Sequence, residues 1–153
     1  MTQKSRYRSL LLGCGSRAGA HAKVYPDIPA VDLIARCESV SDDQARVEVV
    51  NFNSPQQLVV AGHKTSVDAL CAGLEKDGMR FVPLAVSAPF HSSLMAPARD
   101  AMTELLEGTT YKAGSPVIAN LTGEIEEAYR AEFLIKQINS PVLWTQSLEA
   151  AHS

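Results

Sequence analysis

Between residues 22 and 84 the spacing of apolar side chains switches repeatedly between a period near two and a period near three and a half, and this alternation constrains the fold of the 153-residue chain more than any other feature. Ala22-Lys23-Val24-Tyr25 is a short β-prone run closed by Pro26. Pro29 and Ala30 can open a helix in which Val31, Leu33, Ile34 and Cys37 share one stripe. Val47-Glu48-Val49-Val50 reads as a strand, Asn51-Phe52-Asn53-Ser54-Pro55 as a turn, and Leu58-Val59-Val60-Ala61-Gly62 as the next strand. Val67, Leu70, Cys71 and Leu74 recur at intervals of three and four, which predicts an amphipathic helix over 66–76, stopped by Asp77-Gly78. Met79-Arg80-Phe81-Val82-Pro83-Leu84 is again a strand. The order β-α-β-β-α-β predicts a ferredoxin-like arrangement, with two helices covering one face of a four-stranded antiparallel sheet.

The flanks are less regular. Residues 1–21 form an uncertain N-terminal segment, in which 6–12 fit a strand or a helix end and Gly13-Cys14-Gly15-Ser16-Arg17-Ala18-Gly19 breaks any regular element. Beyond residue 84 a Pro/Ser/His-rich turn runs into a helix over 94–106. A strand at 116–120, a helix over 129–138, a bend at Pro141-Val142-Leu143-Trp144 and a terminal helix over 145–151 follow. These pieces are too few to close a second domain and call for something to dock on. The expected division is therefore 1–21, a ferredoxin-like subdomain at 22–84, and an incomplete second portion at 85–153.

Composition excludes several function classes. With 46% apolar and 20% charged residues the chain can form a packed core. A net charge of -3 without a Lys/Arg run argues against a nucleic-acid partner. No apolar stretch approaches the roughly 20 residues needed to span a bilayer, and Leu10-Leu11-Leu12 is too short for a secretory signal, so a cytoplasmic protein without a membrane partner is expected. Cys14, Cys37 and Cys71 form no CxxC pair, which argues for reduced thiols rather than zinc or disulfides; neither a metal nor a cofactor is expected.

Four motifs occur in order: Asn51-Phe52-Asn53-Ser54-Pro55-Gln56-Gln57 with Gly62, Ser87-Ala88-Pro89-Phe90-His91-Ser92-Ser93-Leu94-Met95, Asn120-Leu121-Thr122-Gly123, and Gln137-Ile138-Asn139-Ser140-Pro141-Val142-Leu143-Trp144. Together, over residues 22–150, the chain resembles the later portion of the malonyl-CoA:acyl carrier protein transacylase family and the related acyltransferase domains of polyketide synthases. The resemblance implies an α/β fold in which the ferredoxin-like subdomain joins C-terminal segments of an α/β-hydrolase-like large subdomain. It implies malonyl-CoA and an acyl carrier protein as substrate and partner. It makes His91 the base that takes a proton from a serine nucleophile, since a hydroxyl is a poor nucleophile at its own pKa. A backbone carbonyl near Leu143 would accept the other ring N–H. Phe90, directly before His91, goes with malonyl selection in the related polyketide enzymes. Asn53 matches an asparagine lining the cleft, and is equally well read as a turn residue. Gln137 is expected to pack or bond locally; His21, His63 and His152 are expected to be solvated.

What is absent is equally informative. The family's Gly-His-Ser-Leu-Gly elbow has no counterpart, since no Gly-x-Ser-x-Gly occurs; the early Gly-Gln-Gly segment and the malonyl-pairing arginine are missing too. The expectation is a chain shortened at its N-terminus, inactive unless another chain supplies the serine. A non-catalytic carrier-protein or subunit-binding fragment is the alternative. A third reading takes Gly13-x-Gly15-x-x-Ala18 as a dinucleotide-binding fingerprint, with residues 31–35 as the next strand and Glu38 near its end, resembling the opening of glucose-fructose-oxidoreductase-type dehydrogenases.

Overall fold

Strand β3 (Gln57–His63) is the apolar axis of the molecule, with Leu58, Val59, Val60 and Ala61 all buried. A continuous apolar run of this kind is stable only where both faces of the sheet are covered. The computed structural model describes residues 7–13, 30–42, 45–55, 57–111 and 114–153. Its mixed α/β architecture begins with β1 (Tyr7–Gly13), α1 (Ala30–Ser39), β2 (Val47–Ser54), β3, α2 (Lys64–Lys76) and β4 (Phe81–Leu84). The four strands form one antiparallel sheet in the order β2-β3-β1-β4.

The strand between β3 and β4 is thus Tyr7–Gly13, within the segment left uncertain by pattern alone. The β-prone run at residues 22–25 lies outside the described residues, as do Cys14, Gly15, Ala18 and His21. Residues 31–35, which the dinucleotide reading needs as a strand, lie in helix α1, so Glu38 is at no strand end. The helical period is evident in burial: Leu33 and Cys37 face the core. Moreover, β1 has antiparallel neighbours on both sides, whereas a dinucleotide fold places a parallel strand there.

One face of the sheet packs on both helices: Leu33 and Cys37 of α1 and Val67, Leu70 and Leu74 of α2 meet Val47, Val49, Leu58 and Val60. Each Val or Leu fully buried here contributes roughly 1.5–3 kcal/mol. Helix α2 ends where expected. The Met79 N–H reaches the Leu74 carbonyl and the Gly78 N–H the Glu75 carbonyl, with Gly78 at φ 72°, a Schellman stop. The other face carries Val50, Val59 and Ala61, against which Leu84 packs.

Gly62 explains the glycine of the first motif. A Cβ there would lie 2.1 Å from the Arg46 carbonyl oxygen, and that oxygen is held by the His63 N–H at 2.7 Å. His63, expected to be solvated, is half-buried, and its Nδ1 accepts the Arg46 N–H at 2.8 Å.

After β4 a 3-10 turn (Ser93–Met95) leads into α3 (Ala96–Glu107), followed by the two-residue hairpin strands β5 (Val117–Ile118) and β6 (Ile125–Glu126), then α4 (Ala131–Gln137) and α5 (Trp144–His152). Among the described residues of this portion only Pro89, Ser92, Ala119, Gly123 and Ser147 are buried. Val117, expected in a buried strand, is exposed, because β5 pairs only with β6.

Gly62→Ala should destabilise the fold by about 3 kcal/mol or more, since backbone is in the way. Gly73→Ala, mid-helix with open space around it, should stabilise by about 1 kcal/mol. Urea denaturation of the two variants checks both. The Cys37 thiol is pushed up to about 12 by burial first, then by Glu48 and Glu38. Because the unfolded chain releases this proton first, the stability it contributes should be intact below about pH 9 and be lost as pH rises towards about 12, measurable by melting temperature across that window.

Candidate active site

His91 is the one described non-glycine residue with a positive φ, 63°. For a side chain with a Cβ this conformation costs about 1–2 kcal/mol, and it persists only where the surroundings over-determine it. Here they do so from several sides. Ser92 is fully buried, its hydroxyl donating to the Pro89 carbonyl at 2.6 Å and its N–H to the same oxygen at 3.2 Å. The Ser93 N–H and hydroxyl both donate to the Glu48 carboxylate on β2.

The imidazole itself is held by a backbone carbonyl, at Gln137 rather than Leu143: His91 Nδ1 lies 3.1 Å from the Gln137 oxygen. The reason is helix geometry. Gln137 is the last residue of α4, and the last carbonyls of a helix have no intrahelical partner, so this one is open to a ring N–H. Leu143 stands at the N-cap of α5, and its carbonyl is taken by the Ser147 N–H at 3.0 Å and the Ser147 hydroxyl at 2.9 Å. Gln137, expected to pack or bond locally, does donate its Nε2 N–H to the Ser140 carbonyl at 3.3 Å; its main-chain role leaves no signal in the sequence pattern, which runs the helix on to residue 138.

A carbonyl can only accept, so Nδ1 carries a proton, and in the ring's neutral form Nε2 presents the lone pair that a general base needs. Nε2 has no hydrogen-bond partner among the described residues. The serines beside His91 are not aimed at it, since one hydroxyl is committed to Pro89 and the other to Glu48. Phe90 is about half exposed, at 47%, and so is no core residue.

Asn53 is neither a simple turn residue nor free. The ladder between β2 and β3 passes from Phe52↔Leu58 to Ser54↔Gln57, leaving Asn53 as the extra residue of a bulge. Its Nδ2 donates to Gln57 Oε1 at 3.3 Å. Bulges re-aim side chains and occur often beside active sites. A second irregularity at Val50 shapes the outer edge of β2, where the Val142 N–H donates to the Val50 carbonyl at 2.9 Å and the Phe52 N–H to the Val142 carbonyl at 3.0 Å. Thr145 Oγ1 also donates to the Phe52 carbonyl at 2.9 Å, and the Leu143 N–H to the Asn120 carbonyl at 2.9 Å. The second and fourth motifs thus meet β2, and the third meets the fourth at Leu143. Among the described residues no cluster of His, Cys, Asp or Glu could hold a metal ion, and no helix is long and apolar enough to cross a membrane.

No family model matches the chain. The structure is similar to a crystal structure of FabD from Acinetobacter baumannii, with a TM-score of 0.82 and 27% identity over 98% of this chain and 45% of that one. It is also similar to a chain in the solved complex of a type II polyketide synthase acyl carrier protein with its malonyl-transacylase, with a TM-score of 0.78 and 30% identity over 96% of this chain and 44% of that one. The fold thus matches part of a transacylase chain.

In sequence, the chain is 41% identical over 118 residues to the malonyl CoA-acyl carrier protein transacylase of Escherichia coli K12, covering 74% of this chain and 38% of that protein. The chain belongs to the malonyl-CoA:acyl carrier protein transacylase family, and spans less than half the length of these relatives.

The strain at His91 is separable from its chemistry. His91→Gly and His91→Ala both remove the imidazole, yet the glycine variant should be the more stable by about 1 kcal/mol, the reverse of their usual order. Chemical denaturation of the pair checks this.

Proposed function

We propose that this chain is the base-bearing part of a malonyl-CoA:acyl carrier protein transacylase. The reading is carried by one observation: His91, held in a left-handed backbone conformation, directs Nδ1–H at the Gln137 carbonyl and leaves Nε2 open. The serine belongs to the portion of the family's length that these residues do not span, either elsewhere in a longer chain or on a partner chain. In this scheme Nε2 takes the serine proton as the oxygen attacks the thioester carbonyl of malonyl-CoA. Collapse of the tetrahedral adduct then breaks the C–S bond, and the proton passes to the departing coenzyme A sulfur. The acyl-serine is resolved in the same way by the phosphopantetheine thiol of an acyl carrier protein, whose proton Nε2 accepts and returns to the serine. Acyl transfer between thioester and ester changes no oxidation state and requires no cofactor.

The β1–β4 layer is read as a ferredoxin-like small subdomain, and residues 85–153 as part of the large subdomain. Supporting this, the described residues after β4 expose Phe90, Met102, Leu105, Val117, Ile125, Trp144 and Leu148. Apolar surface of that extent fits a docking face for the remaining part of the fold. Phe90 and Asn53 are proposed to contact the acyl group, Phe90 by crowding an α-methyl substituent.

Incubating the purified chain with radiolabelled malonyl-CoA should leave no covalent adduct. Adding a polypeptide that supplies the family's Gly-x-Ser-x-Gly portion should restore transfer to carrier protein, and His91→Ala should lower that rate about 10²–10⁴-fold. An adduct on the chain alone, or a His91→Ala variant with full activity, would overturn the reading.

A further inference from the structure

Glu48 lies opposite Ala61 in the β2–β3 ladder, so its side chain projects from the face turned away from α1 and α2. There its carboxylate takes two hydrogen bonds from one residue: Oε2 accepts the Ser93 N–H at 2.7 Å, and Oε1 accepts the Ser93 hydroxyl. Ser93 opens the helical run of the 3-10 turn and α3, two residues after His91. A carboxylate at the start of such a run satisfies an N–H that has no intrahelical partner, and charge-assisted bonds are stronger than neutral ones. The residue between, Ser92, is fully buried and tied twice to Pro89. The backbone from the Glu48 anchor back to His91 therefore has little freedom left except at His91 itself, whose φ is the strained one.

We propose that Glu48 is the positioning residue for His91. By holding Ser93 to the sheet it prevents the turn from relaxing to a right-handed or extended backbone, which would swing the imidazole off the Gln137 carbonyl. The proposal rests on the reading of His91 as general base for its functional meaning, but not for its geometry. β2 then acts on both sides of the imidazole. Glu48 holds the turn that carries the ring, and the bonds of Val50 and Phe52 to Val142 hold the segment that follows the Gln137 carbonyl.

The test is NMR of the full chain labelled with 15N-histidine, read at the His91 ring. The wild type should show the Nδ1–H tautomer, although a histidine free in water prefers Nε2–H. Glu48→Ala should move His91 toward the Nε2–H pattern and speed exchange of its ring proton about tenfold or more. Glu48→Gln, which keeps an acceptor for Ser93, should restore part of both signals. Ser93→Ala, which keeps the N–H tie and loses only the hydroxyl, should fall between wild type and Glu48→Ala, and it decides the matter if Glu48→Ala does not fold. A lower melting temperature with an unchanged His91 tautomer and exchange rate would overturn the proposal, since a merely structural role predicts that result. A shifted tautomer combined with unaltered malonyl transfer in the complemented assay would support positioning by Glu48 while removing His91 from the role of base.

Discussion

Along β2 the extra residues Val50 and Asn53 break the regular ladder with β3, and the segments that carry the site meet β2 at its other edge. A regular edge strand would offer its unpaired N–H and C=O groups to any extended chain. Here the Val50 carbonyl and the Phe52 N–H are both taken by Val142, forming a single parallel bridge, and Thr145 reaches the Phe52 carbonyl beside it. The bridge ties the connection between α4 and α5 to β2, five residues after α4 ends. The open carbonyl at that end is the one His91 meets.

The second consequence concerns strain. A left-handed histidine is held by three ties: Ser92 to Pro89, Ser93 to Glu48, and ring Nδ1 to the Gln137 carbonyl. The neutral contacts add little stability by themselves, because each net neutral hydrogen bond contributes about 1 kcal/mol, while the bonds to the Glu48 carboxylate contribute somewhat more, and part of the total is set against the backbone conformation. What they give is one tautomer in one place. These ties leave neither adjacent serine hydroxyl aimed at the imidazole.

The apolar rhythm made the helices at Leu33 and Cys37 and at Val67, Leu70 and Leu74 legible from sequence, because burial of a helical stripe leaves a period that survives any tertiary context. The continuous run of β3 was legible for a related reason. The first strand was not. Leu10-Leu11-Leu12 has no alternation to set it apart from a helix end, and only its pairing with β3 and β4 makes it a strand. The carbonyl partner of His91 was misplaced by six residues, from Gln137 to Leu143, because carbonyls carry no residue type: which one is open depends on where a helix stops. Asn53 reads as a turn in Asn-Ser-Pro and is a bulge, since the register of a ladder is a property of two strands.

By itself, then, the sequence determined that the segments of α1, α2 and β3 bury apolar side chains, and the family to which the motifs belong. These depend on residue types and their order. Tertiary structure alone decided that Tyr7–Gly13 completes the sheet, that Gly62 meets the Arg46 carbonyl, that Glu48 holds Ser93, and that Gln137 faces the imidazole. Each of those is an encounter between residues far apart in the chain, carried largely by backbone atoms that every residue shares, and so no local pattern encodes it.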